Sequence, residues 1–219
     1  MTESTTWLAA LATVAILLVH EAAMALAQRQ TPQGLARSAH AVLREEWFAA
    51  VSAQPGSEIL AVQTLRNSLM SATMTASTAV LALMGTVTLA APSLRTSLGQ
   101  GGADAFPLTP RLALELTLMA LLFASLVCSA MAVRYYHHAS FIGAMPVGSA
   151  PRQRWSAAGA AYVRRAGVLY SWGLRHLVLV APIVAFILHP AAGPLAAIAV
   201  VMVLRRFDRV SSMDSTSAA

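Results

Sequence analysis

Lysine is absent, so all 15 basic residues are arginines. Without an amine side chain the protein has no means for Schiff-base, P-loop or Ser-Lys chemistry, each of which uses a lysine. Cysteine is nearly absent too, and the single Cys128 excludes an intrachain disulfide and a cysteine-cluster metal site. It falls within an apolar run, where a thiol serves as a small buried side chain. Charge is scarce, with 11% of the 219 residues charged against about 25% in a soluble domain. With 57% hydrophobic residues and a mean hydropathy of +0.63, the composition argues against an ordinary water-soluble fold. The length suits roughly four to six membrane-spanning helices. The formal charge of +6 lies in segments between apolar runs, a footprint of membrane topology, and no nucleic-acid motif accompanies it.

Trp7 to Leu26 forms a first apolar run, long enough to cross a hydrocarbon core about 30 Å thick. Ala25-Leu26-Ala27 offers a signal-peptidase pattern. The preceding stretch, however, carries Glu3 and no basic residue, and His20-Glu21 interrupts the run, so an uncleaved span is expected. Ile59 to Ala91 is a second run, which Pro92 is expected to end. Leu112 to Val133 is a third, with Thr109 as N-cap and Pro110 in the first helical position. Ala166 to Leu188 is a fourth, and after the break at 189–194 an apolar stretch from Leu195 to about Val210 follows.

Arginine placement decides how that last stretch is expected to lie. None precedes the first run; Arg29, Arg37 and Arg44 follow it, Arg95 and Arg111 follow the second, and Arg134, Arg152, Arg154, Arg164 and Arg165 the third. Arg205, Arg206 and Arg209 follow the last run. With the N-terminus outside, five spans put every arginine-rich segment on the cytoplasmic side, whereas four would leave the last three arginines outside. Between the first two runs, Leu35, Ala39, Val42, Trp47 and Val51 recur at helical spacing, which predicts a helix on the cytoplasmic surface, ended by Gln54-Pro55-Gly56-Ser57. A second surface helix is expected over Arg152–Arg165, an external loop over Gly99–Ala105, and a disordered tail over 211–219 after a single transmembrane domain spanning 1–210. The expected fold is therefore an all-α polytopic transmembrane bundle of about five spans with two cytoplasmic surface helices.

Polar residues are expected to concentrate at one leaflet. On the second span Gln63, Asn67, Ser71, Thr75, Thr78, Ala82 and Gly85 share an arc of about 120°, a small and polar seam suited to helix packing or to a solute path. The same topology places His20, Glu21, Gln63, Arg66, Asn67, Arg134, His137, His138, Arg175 and His176 near the cytoplasmic ends of four helices. An arginine at membrane depth costs at least ~2.5 kcal/mol on insertion scales, so Arg66 and Arg175 are expected to face the bundle, with Glu21 as the natural partner. The candidate binding cluster is thus His20, Glu21, Gln63, Arg66, Asn67, Arg134, His137, Arg175 and His176. No metal site is expected: His20-Glu21 opens like a zincin motif, but Met24 stands where its second histidine is needed. Glu115 is expected to complement the dipole in the first turn of the third span, on the outer side of the membrane.

Ile59-Leu60-Ala61-Val62-Gln63-Thr64-Leu65-Arg66-Asn67-Ser68-Leu69-Met70 resembles an integral membrane family of bacteria and plants known only as a domain of unknown function. The likeness continues through Arg44, Trp47, Ala132-Val133-Arg134-Tyr135, Tyr162, Arg175, Pro182, Gly193, Pro194 and Asp208, with His20 a looser match. The resemblance implies a small multi-pass helical protein with a Gln-x-x-Arg-Asn opening to its second span, and no activity. This chain departs from it by inserting His189-Pro190-Ala191-Ala192 before Gly193-Pro194.

The leading functional expectation is a non-enzymatic protein of a bacterial-type cytoplasmic membrane, without a cofactor, whose polar cluster organises the bundle and docks an unidentified membrane or cytoplasmic protein or a lipid head group. A small-solute or anion transporter using the same cluster is the alternative. Haem-mediated electron transfer, with His20 and either His176 or His137 as ligands, is the third.

Overall fold

The computed structural model describes residues 2–30, 36–99 and 108–208, without the side chains of 28–30, 36–38, 98 and 99. Among these residues all regular structure is helical: α1 Glu3–Gln30, α2 Ala36–Ala53, α3 Glu58–Gly99, α4 Pro110–Ala144, α5 Ala150–Leu188 and α6 Ala192–Asp208. Four of them, α1, α3, α4 and α5, are long and apolar enough to cross a membrane. The predicted loop over 100–105, Leu35, Arg209 and the tail over 211–219 lie outside the described residues.

Several expected boundaries move, always toward longer helices. Pro92 sits inside α3 and Pro182 inside α5. A proline deletes one i→i−4 bond, a loss that long membrane-type helices tolerate when neighbouring groups satisfy the freed carbonyl. The expected surface helix over Arg152–Arg165 is not separate but forms the first part of the 39-residue α5. Its alanines are strong helix formers, and nothing between them and the fourth apolar run breaks the helix. α4 likewise runs on past Val133 to Ala144. α2 is a separate helix as expected, yet its buried face centres on Ala41, Phe48 and Val51, while Ala39 and Val42 are exposed. The fifth expected span is a distinct helix, but α6 has only 17 residues, about 25 Å at 1.5 Å per residue, which is short of a hydrocarbon core.

Two compact units divide the chain, one made of the described parts of Met1–Ala22, Thr75–Val127 and Trp172–Met202, the other of Ala23–Met74, Cys128–Ser171 and Val203–Ala219. In the first unit Ala10, Leu114, Leu118, Leu122, Ile183 and Phe186 form the core. Here Gly193 faces Thr13 Oγ1 and the Phe186 side chain so closely that a Cβ would fall 2.7 and 2.8 Å from them. The buried Ser125 Oγ donates to the Gly173 carbonyl at 2.8 Å, tying α4 to α5. Thr109 Oγ1 accepts from the Leu112 amide at 3.2 Å, so the expected N-cap of α4 is formed.

Phe48, Leu65, Ala72, Tyr136, Ile142, Val163 and their neighbours make the core of the second unit. Two tight turns at its edge are locked together. Gly56 and Gly148 take φ of 85° and 88°, a region open to glycine, and so let the α2–α3 and α4–α5 connections reverse. Glu58 Oε1 accepts the Val147 amide at 2.8 Å across these turns. Arg152, 1% exposed, donates to the Ile142 carbonyl in the last turn of α4 and, at 2.9 Å, to Ser52 Oγ of α2, with its guanidinium 5.3 Å from the centre of the Phe48 ring. One cation therefore caps a helix C-terminus, bridges to a second helix and stacks on an aromatic face.

Candidate functional site

Within the first unit three of the nine expected site residues converge. Arg175 is 5% exposed; its Nε lies 2.6 Å from Glu21 Oε1 and its Nη2 lies 2.7 Å from His20 Nε2. His20 is 1% exposed, and Glu21 keeps a quarter of its side chain accessible. His20 and Glu21 are adjacent on α1, so their side chains diverge by about 100°, and a planar guanidinium reaches both through different nitrogens. Charge-assisted bonds of this length are the strong kind, and burial raises the cost of leaving either partner alone. His176 stays half-buried, stacked on Trp172 at 5.7 Å between ring centroids. Haem ligation through His20 Nε2 would require displacing Arg175 from that nitrogen.

The remaining five lie in the second unit and are exposed: Gln63, Arg66 and Asn67 on α3, Arg134 and His137 on α4. Among the described residues, none of these five side chains bonds another member of the expected cluster. Arg66 thus does not face the bundle, contrary to the expectation. The buried face of α3 in this unit is Ala61, Leu65 and Ala72, because the alanines let the neighbouring helices approach and Leu65 packs against Gly143, and this turns Gln63, Asn67 and Ser71 outward. The expected polar seam is therefore not the packing seam; of its residues only Thr75 is buried. His137 packs edge-on against the Phe141 ring at 4.8 Å between centroids, and His138 lies 6.0 Å from Tyr162.

The second unit also holds a site that the sequence does not single out. A cavity of about 330 Å³ opens between α2, α3, α4 and α5, walled by Leu43, Trp47 and Leu65 and carrying Arg44, Ser68 and Tyr136 as polar groups. Arg44 is half-buried, and among the described residues no carboxylate lies within ion-pair distance of it; its Nη1 reaches only the His40 carbonyl, at 3.4 Å. The adjacent Glu45 instead pairs with Arg164 at 3.2 Å. Arg44 is laid against the backbone of Gly167, where a Cβ would come 2.5 Å from Nη1. Glycine at 167 is what admits the guanidinium.

These two arginine sites belong to a chain whose helices match a known family along nearly their whole length. The chain belongs to the family described as a protein of unknown function, DUF599, which matches residues 8–213. Neither a curated protein nor a solved structure matches it. Membership agrees with the resemblance at the opening of α3 and brings no activity with it. Among the described residues no group of three or more His, Cys, Asp or Glu side chains could hold a metal ion.

One further carboxylate departs from expectation. Because α4 starts at Pro110, Glu115 falls in its second turn and not its first, too far in to act mainly on the helix dipole. It is fully buried and takes Arg111 Nε at 2.9 Å on Oε1. Leu112, Leu114 and Leu118 around it are buried as well, so the helix rotation that hides the leucines carries Glu115 inward.

Proposed function

We propose that this is a non-enzymatic, multi-pass protein of a cytoplasmic membrane that docks a partner or a lipid head group on its cytoplasmic side. The topology proposed is five spans with the segment before α1 outside, α6 serving as a short fifth span. The support is the arginine distribution, since Arg44, Arg134, Arg152, Arg164 and Arg205 then share the cytoplasmic side. Two kinds of polar group divide the work. Arg175, with Glu21 and His20, satisfies itself internally and holds helices together. Arg44 is charged and half-buried beside an open cavity, with no carboxylate partner among the described residues, and this single observation carries the docking reading. Gln63, Arg66, Asn67, Arg134 and His137, all exposed, add polar character to the same side.

A photo-crosslinking p-benzoylphenylalanine introduced at position 43, at the cavity mouth, tests this in living cells. A specific adduct whose yield falls in Arg44→Gln supports docking. Flux of anions or small solutes across liposomes containing the folded protein, abolished by Arg44→Gln, would overturn docking in favour of transport.

A further inference from the structure

We infer that the occupant of the Arg44 cavity is the phosphate head group of an anionic phospholipid, with the start of its acyl region against the apolar wall; this rests on the docking reading above. The ligand's charge follows from Arg44, a permanent cation whose planar fork is suited to binding a phosphate through two parallel bonds. Its amphipathic character follows from the walls. Leu43, Trp47 and Leu65 would leave a fully hydrated anion in apolar contact on most sides, whereas a lipid presents hydrocarbon there. Leu43 is 61% exposed and Thr64 is exposed, so the cavity is open at the protein surface, as entry of a lipid requires. Ser68 and Tyr136 add hydroxyl groups on the polar side. A volume near 330 Å³ is enough for a head group. Trp47 in the lining is the residue type that sits where apolar and wet regions meet. Basic pockets between membrane helices are a recognised way of holding such head groups.

The position of Gly167 provides a test that leaves Arg44 in place. In Gly167→Ala the added methyl meets the flexible end of Arg44, which can swing away, so the helices need not move but the guanidinium leaves its place. The experiment is native mass spectrometry of the detergent-solubilised full chain, delipidated and then offered an equimolar mixture of phosphatidylglycerol and phosphatidylcholine with identical acyl chains. Phosphatidylglycerol should be retained over phosphatidylcholine by the wild-type protein, and that preference should fall about tenfold in Arg44→Gln and in Gly167→Ala. Leu43→Trp, at an exposed position where no core contact is lost, should lower retention of both lipids by filling the mouth. Equal retention of the two lipids by the wild type overturns the inference, as does an undiminished preference in Arg44→Gln. Inorganic phosphate that competes phosphatidylglycerol off completely at millimolar concentration also overturns it, because the site then takes a free anion. A protein adduct at position 43, in place of a lipid adduct, leaves docking standing while removing the lipid as its occupant.

Discussion

Arg175 Nε sits 2.6 Å from Glu21 Oε1, joining α5 to α1 between residues 154 apart in the sequence. An arginine buried in an apolar unit is tolerable only with such a partner, and the same guanidinium also reaches His20. Removing one member strands the other. Arg175→Gln should lower stability by about 3–5 kcal/mol, the scale on which a broken buried pair is felt, and the double variant with Glu21→Gln should recover part of the loss. Thermal unfolding of the wild type, the two single variants and the double variant in one detergent measures the coupling; simple additivity would mean that the pair contributes nothing as a pair.

Arg152 is the second costly position. It serves the Ile142 carbonyl, Ser52 and the Phe48 ring at once, so Arg152→Ala removes a helix cap, an interhelix bond and a stacking contact together. A loss of about 3 kcal/mol or more is expected. Arg152→Lys should recover only part of it, since an ammonium cannot reproduce the planar fork. The readout is again the unfolding midpoint, with protease sensitivity of the α4–α5 turn as a local probe.

Gly159 and Gly167 look alike in sequence and should behave differently. A methyl at 159 would strike the fully buried Phe48 ring, whereas at 167 it meets the mobile end of Arg44. Gly159→Ala should destabilise by about 1–3 kcal/mol through overpacking. Gly167→Ala should cost less. Equal thermal shifts in the two variants would contradict these placements.

Arg66 lies exposed on α3, so Arg66→Gln should change stability by no more than about 0.5 kcal/mol. A shift as large as that of Arg175→Gln would mean that Arg66 is buried by something beyond a single copy of the chain.

The proposed sidedness is open to cysteine labelling in a Cys128→Ser background. Cysteines placed within residues 189–194 should label from outside intact cells, and those replacing Arg44, the exposed Arg154 or Arg209 only after permeabilisation. Labelling of position 209 from outside would leave α6 as a surface helix and reduce the spans to four.

How far the sequence discloses this structure depends on what each residue costs to misplace. Helical content, the four long helices and the need of Arg175 for Glu21 are legible because apolar runs and a charge among them leave few alternatives. The orientation of α3 is not. Its alanines and its polar residues both repeat at helical spacing, and only packing decides that Ala61, Leu65 and Ala72 turn inward while Gln63 and Asn67 turn out. The Arg44 cavity and the Arg152 latch are hidden for another reason. Arg44 meets Tyr136 and Gly167, and Arg152 meets Ser52 and Phe48, all far along the chain, at positions whose small or aromatic side chains carry no local signal. Arg44 and Trp47 do stand among the residues of the family resemblance, which is the trace in the sequence that points toward this site.

The division between a structural and a binding arginine is tested most directly by the unfolding midpoint of delipidated protein, with and without phosphatidylglycerol, in Arg175→Gln and Arg44→Gln. The expected result is a crossed pattern. Arg175→Gln starts at a lower midpoint and keeps the rise that the lipid induces, while Arg44→Gln starts near the wild-type midpoint and loses that rise. If Arg44→Gln keeps the full lipid-induced rise, or if Arg175→Gln loses it while remaining folded, the two arginines do not have the separate roles assigned to them.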